Sequence, residues 1–353
     1  SGTPQARASD NTPHPSHPQP ALTPTRSPNR TQLPAPTRPP TPDALITTGG
    51  TESNHLALLL AREAHGGSVR LVCGENAHHS LTRAAWLLGL PEPVVVPTPA
   101  GVLDPGALDE ALGRFTGPMM VAATAGTTDA GLIDPLPEIA ARCAAHGARL
   151  HVDAAYGGGL LFSARHRGKL AGIRLADTVT LDLHKLGWQP VAAGLLAVRD
   201  GTDLTPLHQR ADYLNADDDT EAGLPDLLGR SLRTTRRPDV LKIAVTLKTL
   251  GRTGLGEITD HVCETAQRFA DKVTAHPAFE LYARPVISTV LFRPRNADAA
   301  VVRRTLLEQG RAVLGRARTG DGQLWLKATL LNPHTGPADL DRLLKLVEGT
   351  TPT

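Results

Sequence analysis

The alternation of apolar and polar positions from about Asp43 onward predicts a folded α/β domain. Short runs that are apolar throughout alternate with segments whose apolar residues lie three or four positions apart, which is typical of strands alternating with helices. Continuously apolar strands indicate a mostly parallel sheet with helices on both faces. The predicted strands are Val69–Cys73, Val94–Pro97, Met119–Thr124, Arg149–Asp153, Thr178–Asp182 and Ala193–Val198. The predicted helices are Thr51–His65, Ser80–Leu88, Pro105–Arg114 and Pro135–His146.

The pattern changes after residue 238. Two apolar helical stripes, from Val240 to Leu250 and from Ile258 to Val273, come before a mixture of strands and helices. That order is typical of a small antiparallel α+β unit. Its predicted elements are the strands Val286–Phe292, Arg311–Gly315 and Gln323–Leu330 and the helices Ala299–Gln309 and Ala338–Val347. The sequence therefore predicts a large domain over residues 43–238 and a small C-terminal domain over residues 239–353.

The first 42 residues differ from the rest in composition. They hold 12 of the 30 prolines, and their large aliphatic residues are Leu22 and Leu33. Such a segment buries too little apolar surface to offset the entropy lost on ordering. We therefore expect residues 1–42 to be a disordered, proline-rich tail, and a ligand for SH3-like domains is the alternative interpretation.

Composition and charge exclude several classes of protein. The 37 Lys and Arg residues nearly balance the 35 Asp and Glu residues, whereas a dedicated nucleic-acid binder has a concentrated basic excess. Apolar runs stay well short of the ~18 residues that indicate a transmembrane helix, and the chain does not open with a signal-peptide pattern. The widely spaced Cys73, Cys143 and Cys263 fit reduced thiols better than a disulfide framework. We expect a cytoplasmic α/β enzyme or binding protein that contacts neither nucleic acid nor membrane.

A glycine-rich turn precedes the first predicted helix. In residues 48–54, Gly49 and Gly50 allow close backbone approach, and Thr51 adds a hydroxyl donor. The start of the helix offers unpaired N–H groups and the positive end of the helix dipole, which together suit a phosphate group. The turn is therefore a candidate phosphate site, although a Gly-Gly-Thr turn taken alone is more often simply a helix-capping loop.

Two predicted strands end in chemically reactive side chains, at what should be one edge of the sheet. Asp153 ends one strand, and His184 and Lys185 follow another. A carboxylate at such an edge could hold a metal ion, a ribose hydroxyl or a protonated ring nitrogen. Together with a phosphate site, however, a lysine and a carboxylate form the set that pyridoxal phosphate needs, for the Schiff base and the protonated pyridine nitrogen respectively. His78, at a strand–helix junction, could stack on a flat cofactor.

Five segments together resemble the group II pyridoxal-phosphate-dependent amino-acid decarboxylases, which have the type I, aspartate-aminotransferase-like fold. They are TTGGTESNHLALLLAR, AHHSLTRAA, TAGTTDAGLIDPL, HVDAAYGG and LDLHKLGWQP, in order along the chain. The resemblance implies that Lys185 forms the Schiff base, that Asp153 pairs with the pyridine nitrogen and that His78 stacks on the cofactor ring. The other implied cofactor contacts are Gly50, Thr51 and Thr178 at the phosphate, Thr124 near the ring oxygen or substrate carboxylate, Ala155 beneath the ring and His184 at the cofactor edge.

The resemblance also implies a homodimer that acts on a small-molecule amino acid and needs no metal. Residues 213–239 resemble the bacterial branch that acts on lysine, ornithine or 2,4-diaminobutyrate, including siderophore-pathway lysine decarboxylases. Leu227 stands where aromatic decarboxylases carry a catalytic tyrosine, and the acidic residues of this segment suit a distal ammonium group. We expect a basic substrate, lysine first, converted to a diamine and carbon dioxide. An aromatic-amino-acid decarboxylase, an aldehyde-forming oxidative deaminase and an inactive protein of the same fold are the alternatives.

The region before the phosphate turn departs from the family pattern. Family members carry a longer front region there, whose helices embrace the partner subunit and line the substrate pocket. In this sequence, residues 1–42 are rich in Pro, Thr, Ser and Arg, and the chain begins with Ser1. We expect a misassigned start, a processed product or an absent N-terminal domain. Each would affect dimer stability, pocket closure and activity, while the residues of the cofactor site remain in the sequence.

Overall fold

A mostly parallel sheet of seven strands organises the larger part of the chain. The computed structural model describes residues 40–208, 217–224 and 227–350. The predicted tail therefore lies almost entirely outside the described residues, as do Tyr213 and Asp226 of the acidic segment. The strands are β1 (Asp43–Thr47), β2 (Arg70–Gly74), β3 (Val94–Val96), β4 (Met119–Thr124), β5 (Arg149–Ala154), β6 (Thr178–Asp182) and β7 (Gly194–Val198).

The order across this sheet is β1-β7-β6-β5-β4-β2-β3. Among these strands only β7 runs antiparallel to its neighbours, β6 and β1, so the predicted α/β class is confirmed. All six residues of β4 are buried, as expected for a central strand covered on both faces. The six predicted strands lie within a residue or so of their expected bounds. The edge strand β1 escaped prediction because its five residues show little periodicity.

Four helices cover the two faces of this sheet. The helices are α1 (Gly50–Ala64), α2 (His79–Leu87), α3 (Pro105–Gly113) and α4 (Leu136–Ala145). Leu108 and Ile139, from α3 and α4, pack with Val121 on one face. Leu58 and Leu81, from α1 and α2, pack on the other. Each of these helices follows a strand along the chain, so its N-terminus lies at the carboxyl edge of the sheet.

A second, antiparallel sheet of four strands belongs to the C-terminal part. The elements of this part are α6 (Asp239–Ala275), β8 (Phe279–Leu281), β9 (Thr289–Pro294), α7 (Ala299–Glu308), β10 (Gly315–Arg318), β11 (Leu324–Thr329) and α8 (Pro337–Glu348), and the short helix α5 (Asp217–Glu221) precedes them along the chain. The strand order is β10-β11-β9-β8. The core of this part contains Phe269, Phe279 and Phe292, whose rings meet edge to face with centroids 5.2 and 6.0 Å apart. Such aromatic pairs add to the stabilisation that burial gives.

Four details of this part differ from the sequence prediction. The strand expected at Val286–Phe292 is β9, which begins at Thr289 and ends at Pro294. The two helical stripes belong to one long element, α6, which is interrupted at Gly251 with φ 62°. The strand expected at 311–315 instead begins at Gly315, because the residues before it turn out of α7 through Gly310, with φ 64°. The three residues of β8 are too few to show a period of two.

Two further features of the described residues bear on the environment of the protein. Cys73, Cys143 and Cys263 are all buried and unpaired, and burial raises the pKa of the Cys73 thiol to about 11. Over the same residues, no helix is long and apolar enough to cross a membrane.

Candidate active site

A cavity of about 480 Å³ opens where the carboxyl ends of β4, β5 and β6 meet the start of α1. This is the edge at which open α/β sheets bind ligands. Residues of both sheets line the cavity, because Thr289 of β9 and Thr329 of β11 contribute to its wall. Its lining includes the predicted site residues Gly50, Thr51, His78, Thr124, Asp153, Ala155, His184 and Lys185.

The glycine turn leaves the start of α1 open to a ligand. Gly49 is the N-cap residue, and no described side chain caps the helix there. Instead, Glu52 reaches back, and its Oε2 accepts hydrogen bonds from the N–H and Oγ1–H of Thr48 at 2.7 and 2.6 Å. A helix start without a side-chain cap offers its first N–H groups to an anion. The turn therefore has the properties expected of a phosphate site.

Gly50 is needed because the chain passes close to neighbouring groups at this turn. A Cβ atom on Gly50 would lie 2.9 Å from Ala155 Cβ and 3.3 Å from Asp182 Oδ2. We expect Gly50→Ala to weaken retention of a phosphate-bearing ligand at least about tenfold, because the turn must shift by several tenths of an ångström, a distance over which packed groups do not yield freely. Equilibrium titration with the ligand measures this.

The control variant for that titration is Gly168→Ala, since a Cβ on Gly168 would meet no atom within 4 Å. Adding Ala155→Gly to the Gly50→Ala variant should restore part of the affinity, because it removes the nearest clashing atom. Equal affinity in wild type and Gly50→Ala would contradict a role for close packing at this turn.

Asp153, the second-to-last residue of β5, lies in the cavity wall and is only 5% exposed. Its Oδ2 accepts a hydrogen bond from Asn54 Nδ2 at 2.7 Å, and its Oδ1 accepts one from the Ala155 N–H at 3.0 Å. Donors to both oxygens fix the plane of the carboxylate. Such a group is suited to holding a protonated ring nitrogen.

Lys185 and His184 converge on a third residue, Asp182, the last residue of β6. Lys185 Nζ lies 3.0 Å from Asp182 Oδ2, and His184 Nε2 lies 3.4 Å from the same atom. His184 Nδ1 accepts a hydrogen bond from the Ala193 N–H at 3.2 Å, so the proton of a neutral His184 is on Nε2, towards Asp182. Sequence reasoning missed Asp182 as a site residue, although it stands in the same motif as Lys185.

Asp182 is 4% exposed, and its Oδ1 has no hydrogen-bond partner among the described residues. Thr124, at the end of β4, is also buried with an unpartnered Oγ1. Buried polar atoms are nearly always hydrogen-bonded in folded proteins. Both residues line the same cavity, and a polar ligand there is one way to supply the missing partners.

His78 stands at the N-cap of α2 and lines the cavity. Its Nδ1 lies 2.8 Å from Ser80 Oγ. Burial lowers the pKa of the His78 imidazole, so the ring is neutral at neutral pH. A neutral, partly buried ring is suited to stacking on a flat ligand.

The structure does not bring Thr178 and Leu227 to the cavity. Thr178 is the first residue of β6, whereas the glycine turn lies beside its last residue, Asp182. Thr178 is therefore at the end of the strand away from the phosphate site that it was predicted to contact. Its Oγ1 instead lies 2.8 Å from His151 Nδ1. Leu227, expected at the position of a catalytic tyrosine, is 58% exposed and does not line the cavity.

The C-terminal part completes the cavity with residues that the sequence did not single out. Tyr156 Oη lies 2.8 Å from Ser288 Oγ and 3.0 Å from Thr289 Oγ1, and burial raises its pKa. Thr289, Thr329 and Leu331 also line the cavity. These contacts join residues more than a hundred positions apart, which local sequence patterns do not reveal.

A lysine, a buried carboxylate and an uncapped helix start at one sheet edge define a site for pyridoxal phosphate. The sequence model of the pyridoxal-dependent decarboxylase conserved domain matches residues 31–295. The chain belongs to this family.

Individual relatives agree with the family. The chain is 41% identical over 324 residues to an L-2,4-diaminobutyrate decarboxylase of Rhizobium meliloti (strain 1021), a match that covers 86% of this chain and 65% of that protein. It is 33% identical over 343 residues to an L-2,4-diaminobutyrate decarboxylase of Acinetobacter baumannii, covering 86% and 67%. The crystal structure of mouse CSAD is 27% identical, with a TM-score of 0.80, covering 88% of this chain and 72% of that one. The chain thus spans about two thirds of the length of these curated relatives.

The residues of the cavity fit pyridoxal phosphate chemically. Lys185 carries a primary amine that could attach the cofactor, and Asp153 carries a buried carboxylate that could accept a hydrogen bond from a protonated pyridine nitrogen. The start of α1 has no side-chain cap among the described residues, so its first N–H groups are open to the phosphate. The unpartnered hydroxyl of Thr124 matches a ligand with oxygen atoms at the ring edge.

Proposed function

We propose that this chain carries the decarboxylase centre for an L-amino acid with a distal amine, which it converts to a diamine and carbon dioxide. The observation that carries the proposal is the convergence of Lys185, Asp153 and the Gly49–Gly50 turn on one cavity. Bound pyridoxal phosphate supplies an electron sink for the pair of electrons left when the bond from Cα to the carboxylate breaks.

The residues of the chain have separate tasks in this proposal. Lys185 Nζ would hold the cofactor, because it is an amine that can be exchanged for the amine of the substrate. Asp153 would accept a hydrogen bond from the protonated ring nitrogen, which would make the ring a better electron acceptor. The glycine turn and the start of α1 would hold the phosphate. His78 and Ala155, which both line the cavity, would pack against the ring.

The charge of the cavity supports a basic substrate. Of the described residues that line it, Glu52, Asp153 and Asp182 are acidic, whereas Lys185 is the one lysine or arginine. A distal carboxylate would find no spare cation there, and an unpaired charge in such a site costs far more than a size mismatch. Both relatives at 41% and 33% identity are named L-2,4-diaminobutyrate decarboxylases, so we propose this substrate ahead of ornithine and lysine.

A substrate panel tests the proposal. Carbon dioxide release is measured from 2,4-diaminobutyrate, ornithine, lysine, tyrosine, histidine and glutamate, with the protein loaded with pyridoxal phosphate. We expect the highest kcat/KM for 2,4-diaminobutyrate. Preference for basic over aromatic substrates should exceed the roughly 10–200-fold that a hydrophobic pocket gives per methylene.

The panel also separates the alternatives. Faster turnover of tyrosine, histidine or glutamate than of all three basic amino acids would contradict the substrate proposal. An aldehyde product, identified by mass, would indicate oxidative deamination. Cofactor binding without carbon dioxide release from any substrate would indicate an inactive member of the fold.

We also propose that the protein acts as a homodimer in the cytoplasm. The unpaired, buried thiols support a reducing compartment. Next to the glycine turn, a groove contains Leu87 and Leu232, which are 59% and 61% exposed, and large exposed apolar side chains favour a protein interface. Sedimentation at the mass of a single 37.3 kDa chain would contradict the dimer.

A further inference from the structure

Asn54 connects two sides of the cavity through one buried amide. It lies in the first turns of α1, next to the glycine turn, and is 1% exposed. Its Nδ2 donates to Asp153 Oδ2 at 2.7 Å and to Ser80 Oγ at 2.9 Å. Its Oδ1 lies 3.0 Å from His151 Nε2 and 2.9 Å from Thr180 Oγ1. Two donors and two acceptor sites are the full capacity of an asparagine amide, so this group is saturated.

The chemistry of these neighbours fixes the direction of each hydrogen bond on the Asp153 side. The Asp153 carboxylate only accepts, so the amide nitrogen of Asn54 must face it. The amide oxygen then faces His151 and Thr180, both of which must donate. Burial holds His151 neutral by lowering its pKa to about 4, so its proton is on Nε2. His151 Nδ1 therefore accepts from the Thr178 hydroxyl at 2.8 Å.

The same reasoning continues on the His78 side. Ser80 Oγ accepts from Asn54, so its own hydrogen is free to go to His78 Nδ1 at 2.8 Å. The Ser80 N–H also donates to His78 Nδ1, at 3.3 Å. A ring nitrogen that receives two donors carries no proton. The proton of the neutral His78 ring is therefore on Nε2.

We propose that Asn54 is a positioning residue for the decarboxylase site. Through its direct bond it fixes the Asp153 carboxylate for the ring nitrogen. Through Ser80 it fixes His78 as the Nε2–H tautomer, so that this cavity-lining ring has an N–H donor free for an anionic group, such as the substrate carboxylate. The proposed effect of Asn54 on the reaction rests on the proposed function. The directions of the hydrogen bonds do not depend on that function.

The first experiment measures the tautomers in the full chain without cofactor or substrate. Two-bond proton–nitrogen correlation spectra of ¹⁵N-histidine-labelled protein distinguish the two tautomers, and His78→Gln identifies the His78 signals by difference. We expect wild-type His78 as the Nε2–H tautomer. Ser80→Ala should give a mixture of tautomers at His78 and leave His151 as Nε2–H. An Nδ1–H tautomer in wild type, or an unchanged His78 spectrum in folded Ser80→Ala, would overturn the inference.

The second experiment tests the hydrogen bond from Asn54 to Asp153. It uses protein loaded with pyridoxal phosphate that is labelled with ¹⁵N in the ring. Asn54→Asp places a carboxylate against Asp153 and should move the ring-nitrogen resonance, whereas Ser80→Ala should not. We expect kcat to fall about 10–100-fold in Asn54→Asp, the usual scale for residues that orient a functional group, with a much smaller change in KM. Asn54→Ser, which keeps a small polar side chain, is the second variant in case Asn54→Asp does not fold.

The two experiments separate this inference from the proposed function. The tautomers and the ring-nitrogen resonance are measured without turnover, so they do not depend on the identity of the substrate. A failed substrate panel with the expected spectra would contradict only the function. A ring-nitrogen resonance unchanged in a folded Asn54 variant would contradict only the positioning role.

Discussion

Replacing Lys185 with alanine is expected to abolish covalent retention of pyridoxal phosphate and to reduce decarboxylation to background. Of the described residues that line the cavity, Lys185 alone carries a primary amine, and without it the cofactor has only its non-covalent contacts. The fold should persist, because the Lys185 side chain is 39% exposed and partly exposed ion pairs contribute little to stability. Borohydride reduction followed by peptide mass spectrometry measures the attachment.

The control for this variant is Lys169→Ala. Lys169 Nζ donates to the Val286 carbonyl at 2.6 Å, and Lys169 does not line the cavity. That variant should keep both the reducible cofactor and the activity. If Lys185→Ala still carries the cofactor mass on a peptide, another amine forms the attachment and the assignment of Lys185 is wrong.

Much of the large domain could be predicted because its signals are local. The run Met119–Ala123 is apolar throughout, so its place in the middle of a covered parallel sheet follows from the sequence itself. The parallel arrangement then brings strand ends to one edge, and for that reason the sequence pattern alone predicts that Asp153 and Lys185 lie close together. The short strands β1 and β8 were missed because each has polar residues among its three to five positions, whereas the equally short β3 is apolar throughout.

The parts of the site that could not be predicted depend on contacts distant in sequence. Asn54 follows the glycine turn as an ordinary polar residue of a helix, yet it bonds to Asp153, 99 positions away. Thr178 and Asp182 lie on one strand, and motif resemblance alone did not tell which end faces the phosphate turn. The direction of a parallel strand was the signal that could have favoured Asp182.

Asp153→Asn is expected to keep the attached cofactor but to lose activity by about 10²–10³-fold or more, the scale of losing one essential electrostatic contact. An amide cannot hold a proton on the ring nitrogen as a carboxylate does. It also offers only one oxygen to two donors, Asn54 Nδ2 and the Ala155 N–H. One of these two donors would therefore face the NH2 group of the new amide and lose its acceptor. A buried donor without an acceptor costs about 1–3 kcal/mol of stability. The measurements are kcat, cofactor content and the free energy of unfolding.

The stability cost requires a control, because a loosened site alone would also slow the reaction. Asp203→Asn removes a carboxylate that pairs with Arg149 away from the cavity, so it should lower stability without the loss of rate. The ring-nitrogen ¹⁵N resonance of bound cofactor separates the two causes in Asp153→Asn, since only loss of the proton moves it to the position of a neutral pyridine. Near wild-type turnover at full cofactor content would remove Asp153 from the proposed mechanism. A protonated ring nitrogen in an inactive Asp153→Asn would assign the loss to geometry rather than to charge.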